Sequence, residues 1–541
     1  MCSTKVDRFK ISMGRRVICF TGILLFFAPL FLVAENPPNI ILVVADDMGF
    51  SDAGCYGGEI QTPILDGLAE SGLKFTQMYS TGRCWPSRAV LLTGYYAQQV
   101  GMDPRKGKEW PSWSRLLPLR LKEAGYRNYH SGKWHLKGMP ADPSVSGFDR
   151  SFYLGDQDRF FSPRKVFLDD QPQPVILRDS GFYSTVAKAD YAIEFLKDHA
   201  AETSDQPFFL FLAFFAPHFP LHALPEDIET YKYVYLRGWD VVRKERWSRL
   251  TFMSLVDSGM AERREEIYPS WNLSEDEMVS QIHSGEVAYA SPWDDLSEEQ
   301  KQFQAHKMAI HAAMIDRMDQ EIGRVMDQVS RMGESDNTFF VFVSDNGASG
   351  EIINRADKHD PTAPLGSAGS YLCLGPGWST AANTPMSLHK HWNHEGGISS
   401  PMVVHWPKGI SARGGIRHTP AHFIDFVPTF LELAGVDTSP FENAPVFPGR
   451  SLVEVFKQDQ DWGYRTLFWA HSGNRALRDG DWKAVMRRDN GNRWELYNMP
   501  ADRAELNDLA TTYPDRLRNL TSTWGRLREQ FDRDFEMGRE N

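Results

Sequence analysis

Short apolar runs without alternation, set between long amphipathic and polar stretches, frame the chain. Asn39-Ile-Ile-Leu-Val-Val-Ala45 is β-branched and uninterrupted, the pattern of a strand covered on both faces of a parallel sheet. Gln206 to Ala216 and Thr338 to Val343 repeat it, and Tyr126 to Ser131 and Pro401 to Pro407 predict further strands. Helical spacing predicts helices from Pro63 to Leu73, Leu116 to Ala124, Ala309 to Met332 and Phe423 to Ala434, the last three each stopped by a glycine. Residues 223 to about 302 are charged, carry Trp239, Trp247, Trp271 and Trp293, and show no clean strand. The aromatics favour an ordered excursion over one edge of the sheet, a lid, although plain packing is the commoner role of any one of them. From Arg465 the pattern changes to short runs punctuated by Gly and Asp: Arg465 to Ala470, Asn474 to Arg478, Asp481 to Arg487 and Trp494 to Asn498. These predict an antiparallel meander, followed by a helix from Pro514 to Glu529. The expected architecture is an α/β fold: a large mixed, mostly parallel sheet sandwiched by helices over residues 35–435, and a smaller C-terminal α+β unit over 436–541. A chain of 541 residues is long enough for two such units.

The first 34 residues stand apart. Lys5, Arg8, Lys10, Arg15 and Arg16 precede a nearly all-apolar run from Val17 to Ala34, and Leu32-Val33-Ala34 makes a cleavage site ahead of polar Glu35-Asn36. This is the plan of a signal peptide, with an uncleaved anchor as the alternative. It implies an exported protein, periplasmic or secreted. The formal net charge, 59 − 71 = −12, argues against a nucleic-acid partner or a stable polybasic membrane contact. An anionic substrate therefore has to be drawn by a local cationic pocket. Beyond residue 34 only Cys55, Cys84 and Cys373 remain, too few for a disulfide scaffold, with Cys55 and Cys373 left to pair or stay free.

Chemistry gathers where the apolar runs end. The first ends in Asp46-Asp47-Met48-Gly49 and the last long one in Ser344-Asp345-Asn346-Gly347. Open α/β sheets carry their sites at such strand ends. Asp46, Asp47, Asp345 and Asn346 offer only oxygen donors, a set suited to Ca²⁺ or Mg²⁺ and poorly to Zn²⁺. Two further runs deliver Gly132-Lys133-Trp134-His135 and Pro217-His218-Phe219-Pro220. Lys133 and His135, two apart, can face the same way on an extended stretch, although for the pair alone a solvated lysine and a core histidine are the commoner reading. Cys84 lies in Gly82-Arg-Cys-Trp-Pro-Ser-Arg-Ala-Val-Leu-Leu-Thr-Gly94. A helix starting around Pro86, with Arg88 one turn on, is expected to lower the pKa of its thiol.

Cys84-Trp85-Pro86-Ser87-Arg88 resembles the sulfatase signature Cys-x-Pro-Ser-Arg, and Leu92-Thr93-Gly94 its continuation. Asp46-Asp47, Gly132-Lys-Trp-His135, Ala216-Pro-His218, Ser344-Asp-Asn-Gly347, Asn383-Thr-Pro385 with Lys390, and His394-Glu-Gly-Gly397 follow in that family's order. From Asn39 to about Leu509 the chain resembles type I sulfatases of the alkaline phosphatase superfamily, and the short strands after Asn474 resemble their small domain. The resemblance implies that Cys84 is converted to formylglycine by a maturation enzyme. It implies Ca²⁺ held by Asp46, Asp47, Asp345 and Asn346, with residue 84 at the same centre. Arg88 and His135 would orient the hydrated aldehyde, Lys133 and Lys390 would neutralise sulfate oxygens, and His218 would act as general acid. The implied substrate is a small-molecule or saccharide sulfate ester. Two departures bear on substrate contacts: Met386-Ser387-Leu388-His389 replaces an arginine-containing stretch of many relatives, and Trp85 is bulky where a small residue is usual. The competing functions are a phosphonate monoester or phosphodiester hydrolase with the same nucleophile, and a non-catalytic binder of sulfated glycans.

Overall fold

The computed structural model describes residue 1 and residues 37–104, 110–136, 143–178, 180–355, 358–439 and 443–539; the signal segment expected over 1–34 otherwise lies outside the described residues. The large sheet is built from β1 (Asn39–Asp46), β2 (Leu73–Tyr79), β3 (Arg127–Gly132), β4 (Arg150–Leu154), β5 (Val166–Leu168), β6 (Gln171–Pro172), β7 (Phe208–Pro217), β8 (Thr338–Ser344), β9 (Ser399–His405), β10 (Gly415–Arg417) and β11 (Ala421–His422). Its order is β10-β2-β9-β8-β1-β7-β3-β4-β5-β6, with β11 also on β2. β1 lies between β7 and β8 and runs parallel to both, Ile41 opposite Leu210 on one side and Phe340 on the other. β9 runs antiparallel to β2 and β8, so the sheet is mixed but mostly parallel.

The uninterrupted apolar character of β1 follows from this position. Every residue of β1 and β7 is buried. Ile41, Val43 and Ala45 face a core shared with the helices Ser184–Glu202 and Glu298–Arg331, while Ile40, Leu42 and Val44 face a second core on the opposite side. That second core takes in the helices Cys84–Thr93 and Phe426–Leu433. It continues into a separate four-stranded antiparallel sheet, β12 (Thr466–His471), β13 (Asn474–Asp479), β14 (Trp482–Met486) and β15 (Trp494–Asn498), through Leu467, Phe468, Leu477 and Ala484. The small sheet is also tied down by buried charge. Lys483 Nζ lies 2.8 Å from both Glu395 and Glu505, and His394 Nε2 lies 2.9 Å from Glu495. The motif His394-Glu395 thus works as the dock for this sheet.

Several elements depart from the periodicity. β2 lies where the helix expected to reach Leu73 has already stopped, at Glu70; its Lys74 and Gln77 are half-exposed and break the apolar run. The helix expected from Ala309 begins at Glu298, because Ser297 and Gln300 form a capping box there. The last helix runs on to Met537. Of the tryptophans in the 223–302 excursion, Trp239 and Trp293 pack edge-on against each other and Trp378 in the interior. Cys55 and Cys373 are buried and unpaired. No helix among the described residues is long and apolar enough to cross a membrane.

Candidate active site

Four strand ends converge. β1 turns at Asp47, whose φ of 66° is a left-handed conformation that swings its carboxylate back over the sheet end. The turn is pinned by Met48 N–H donating to Ser344 Oγ at 3.0 Å and Gly49 N–H donating to Asp52 at 2.9 Å. Beside it β8 delivers Asp345 and Asn346, and the next residue has to be glycine: a Cβ on Gly347 would sit 1.8 Å from the Gly396 carbonyl oxygen. β7 delivers His218, and β3 delivers Lys133 and, at φ 59°, His135. Asn383 fastens two of the site loops together, accepting from Ala348 N–H at 2.8 Å and donating to the Leu388 carbonyl at 3.1 Å.

The side chains form one buried cluster of opposite charges. Lys133 pairs with Asp46, and Lys390 lies 2.7 Å from Asp47 and 3.4 Å from Glu351. Arg88 donates to Asp345 through Nε at 3.0 Å and to the Lys133 carbonyl at 3.1 Å. His218 Nε2 is 3.6 Å from Asp47. Asn346 donates to Asp47 at 2.7 Å. Burial raises the proton affinity of Asp46, but Lys133, His218 and Arg88 outweigh it and hold the group well below the usual carboxylate range. Asp345 goes the other way, pushed up by burial and by its neighbour Asp46. His218 is depressed to about 4, chiefly by burial.

These residues fit a hard cation. Asp46 and Asp47 can bring carboxylate oxygens within 4.8 Å of each other and of a His218 ring nitrogen, a group that does not include Asp345, whose carboxylate is paired with Arg88. One carboxylate oxygen of Asp46 and the amide oxygen of Asn346 are buried without a hydrogen-bond partner, as oxygens that serve a cation rather than a donor would be.

Cys84 is the first residue of its helix, so the helix starts two residues before the expected Pro86. The expected lowering of its pKa does not hold. Burial raises the thiol by more than Lys133 and Lys390 lower it, and Arg88 is committed to Asp345. Cys84 is buried at the head of the helix whose Arg88 donates to Asp345 and to the Lys133 carbonyl, and Arg83 just before it bonds His391, so it lies beside the charged cluster. His135 packs edge-on against Trp85, the residue after Cys84, ring centroids 5.9 Å apart.

A second group was not singled out by sequence. Glu351, 2% exposed, gathers Lys390, the Trp271 indole N–H at 2.9 Å and His391 at 3.4 Å. Arg83 bonds His391 and lies 4.8 Å over the Trp85 ring. Of the excursion's tryptophans, Trp271 therefore reaches the rim of the site. Arg83 precedes Cys84, a signal that was available; Glu351 lies in a loop without pattern.

A family model described as Sulfatase matches residues 38–436, and one described as N-sulphoglucosamine sulphohydrolase, C-terminal, matches 387–530. The chain is 33% identical over 540 residues to an uncharacterised sulfatase of Schizosaccharomyces pombe, covering 91% of this chain and 93% of that one. It is 32% identical over 457 residues to an arylsulfatase of Klebsiella aerogenes, covering 78% and 92%. Among solved structures, Ps i-CgsB in complex with k-i-k-neocarrahexaose superposes with a TM-score of 0.64 at 23% identity, covering 93% of this chain and 94% of that one. A protein in complex with its substrate D-glucosamine-2-N,6-O-disulfate gives 0.61 at 22% identity, covering 94% and 100%. At those identities the likeness is one of fold. With the family model spanning most of the chain, the conclusion is direct: the chain belongs to the sulfatase family, sulfuric ester hydrolases of the alkaline phosphatase-like type I class.

Proposed function

We propose that the protein is an exported sulfatase that hydrolyses sulfate esters of saccharides or aryl alcohols at a formylglycine made from Cys84. The observation that carries this is the placing of buried Cys84 at the head of the helix whose Arg88 donates to Asp345 and to the Lys133 carbonyl, directly after Arg83, which bonds His391. An unmodified thiol there is raised by burial and is a poor nucleophile, so a modified residue 84 suits the chemistry better. Hydrated formylglycine supplies two hydroxyls, one to attack sulfur and one whose deprotonation later expels sulfate and restores the aldehyde. Asp46, Asp47, Asp345 and Asn346 would hold Ca²⁺, with Mg²⁺ admitted by the same oxygen donors, and the ion would stabilise charge on the sulfate oxygens. Lys133 and Lys390, now paired with Asp46 and Asp47, would turn part of their charge to those oxygens. Arg88 orients residue 84 through Asp345, and His135 takes the proton of the second step. His218, neutral in the free protein, gains proton affinity as an anionic ester binds and protonates the leaving oxygen.

The substrate lies at the junction of a catalytic unit, residues 35–435, and a C-terminal unit, 436–541. Saccharide substrates are favoured because relatives carry names such as N-acetylglucosamine-6-O-sulfatase of Bacteroides thetaiotaomicron, 26% identical over 518 residues. The test is a mass spectrum of the tryptic peptide 84–88, from protein made beside a formylglycine-generating enzyme, together with turnover of 4-nitrophenyl sulfate. Aldehyde in place of thiol and release of sulfate are expected. Intact cysteine with full turnover would overturn the mechanism. Faster turnover of a matched aryl phosphodiester would point instead to phosphoester chemistry.

A further inference from the structure

A cavity of about 570 Å³ opens between the residue after Cys84 and the C-terminal unit, lined by Trp85, His471, Asn474, Arg475, Trp524 and Arg528. Its size is that of a small-ligand site. It adjoins the reaction centre on two sides. The Trp85 ring lies edge-on to His135 at 5.9 Å and to His471 at 5.5 Å. Asn474 donates to the His391 carbonyl at 2.8 Å, one residue from Lys390.

The charges around this cavity are unequal in what they have left to bind. Asp103 is taken by His471 at 2.8 Å. Arg528 is held by Asp532 through two bonds, at 2.9 and 3.1 Å. Arg475 has no carboxylate within ion-pair distance among the described residues. Its guanidinium lies 4.8 Å over Trp524, and that ring is fixed in turn: it stacks on Phe468 at 5.3 Å, and its N–H donates to the Trp469 carbonyl at 2.9 Å. A planar guanidinium laid on a fixed ring is oriented before an anion arrives, so little side-chain freedom is lost on binding. In a chain of net charge −12, an uncompensated arginine facing a cavity beside the reaction centre is a local cationic trap.

We propose that this cavity is a subsite for a second anionic group, carried by the sugar unit next to the one that bears the scissile sulfate, with Arg475 as its recognition residue. The substrate class is then a multiply charged sulfated oligosaccharide and not an isolated monosaccharide sulfate or an aryl sulfate. This rests on the sulfatase centre at Cys84 proposed above. Sulfate and carboxylate share the chemistry that Arg475 recognises.

The test uses the matured full-length enzyme turning over 4-nitrophenyl sulfate. The competing inhibitors are tetrasaccharides from iota-carrageenan (sulfate only) and chondroitin 6-sulfate (sulfate and carboxylate), with galactose 6-sulfate as the singly charged reference. At least one tetrasaccharide is expected to inhibit competitively with a Ki tenfold or more below that of galactose 6-sulfate. Arg475→Ala should remove that advantage while kcat and KM for 4-nitrophenyl sulfate stay within twofold, and Arg475→Lys should recover part of it. Which tetrasaccharide shows the effect tells sulfate from carboxylate. The subsite is overturned if neither tetrasaccharide gains over galactose 6-sulfate, or if Arg475→Ala leaves the gain intact. Should neither 4-nitrophenyl sulfate nor either tetrasaccharide release sulfate, the proposed mechanism fails. Calorimetric titration of the same tetrasaccharides into both proteins then decides the subsite by the same tenfold criterion.

Discussion

Replacing Lys483 by methionine removes a cation that sits between two buried carboxylates. Its Nζ lies 2.8 Å from Glu395 and 2.8 Å from Glu505, and none of the three side chains is exposed. Taking one partner from a buried ion pair costs ~3–5 kcal/mol, because the remaining charge has neither solvent nor counter-ion. A surface pair would cost ~0–1 kcal/mol. A second route gives a similar size. Burial alone would raise Glu395, but Lys483 first and Arg503 next bring it from its ordinary 4.5 down to about 2. A fall of that size corresponds to about 3 kcal/mol of stability. The sign follows from the direction: a carboxylate held below its ordinary value contributes stability above pH 4.5, and that contribution fades as pH falls towards 2. Urea unfolding followed by tryptophan fluorescence has local reporters, since Trp482 precedes Lys483 and the Trp469 ring lies 5.9 Å from its Nζ. At pH 7 the Lys483→Met midpoint should drop by the equivalent of ~3–5 kcal/mol at constant slope. The variant should also lose much of the acid-induced weakening expected of the parent between pH 4.5 and 2. A loss under ~1 kcal/mol, or an unchanged acid profile, would refute the claim that buried charge docks the small sheet.

Three further outcomes follow from the site. His218→Ala should lower kcat/KM for alkyl sulfates by ~10²–10⁴, but that for 4-nitrophenyl sulfate by under ~10-fold, because nitrophenolate leaves without a proton; equal losses would remove His218 as the acid. Exhaustive chelation should abolish turnover and lower the melting temperature, with Ca²⁺ restoring both; at a hundredfold excess over Kd the ion adds ~2.7 kcal/mol. A protein that binds no divalent ion by elemental analysis and melts unchanged would exclude the oxygen set as a cation site. Gly347→Ala forces the backbone away from Gly396 and displaces Asn346, so kcat should fall by ~10² or more; activity within twofold of the parent would show that the loop can yield.

How far the chain could be read without its structure turned on the range of each interaction. The doubly buried strands were legible because every position of β1 and β7 is covered, and that leaves an unbroken apolar run. The acids after β1 and β8 were legible for the same reason, since a charge that ends a buried strand is rare enough to notice. β2 was not, because its half-exposed Lys74 and Gln77 make it look like the tail of a helix. The thiol shows the limit most clearly. Helix start and Arg88 are both local to Cys84, and both argue for a lowered pKa. Yet Arg88 is spent on Asp345, a partner 257 residues away, and the burial that raises the thiol is a property of the assembled site. Glu351 was invisible for the converse reason: its meaning lies entirely in Lys390, His391 and Trp271, which the fold brings from two other loops. His394-Glu395-Gly396-Gly397 sits between these cases. The motif could be recognised, but its physical basis needed the fold: His394 and Glu395 dock the small sheet, and Gly396 presses against the residue that follows Asn346. The same few residues thus join the sheet that carries Arg475 to the loop that carries the oxygen ligands. Disturbing the dock should therefore loosen both ends of a long substrate together.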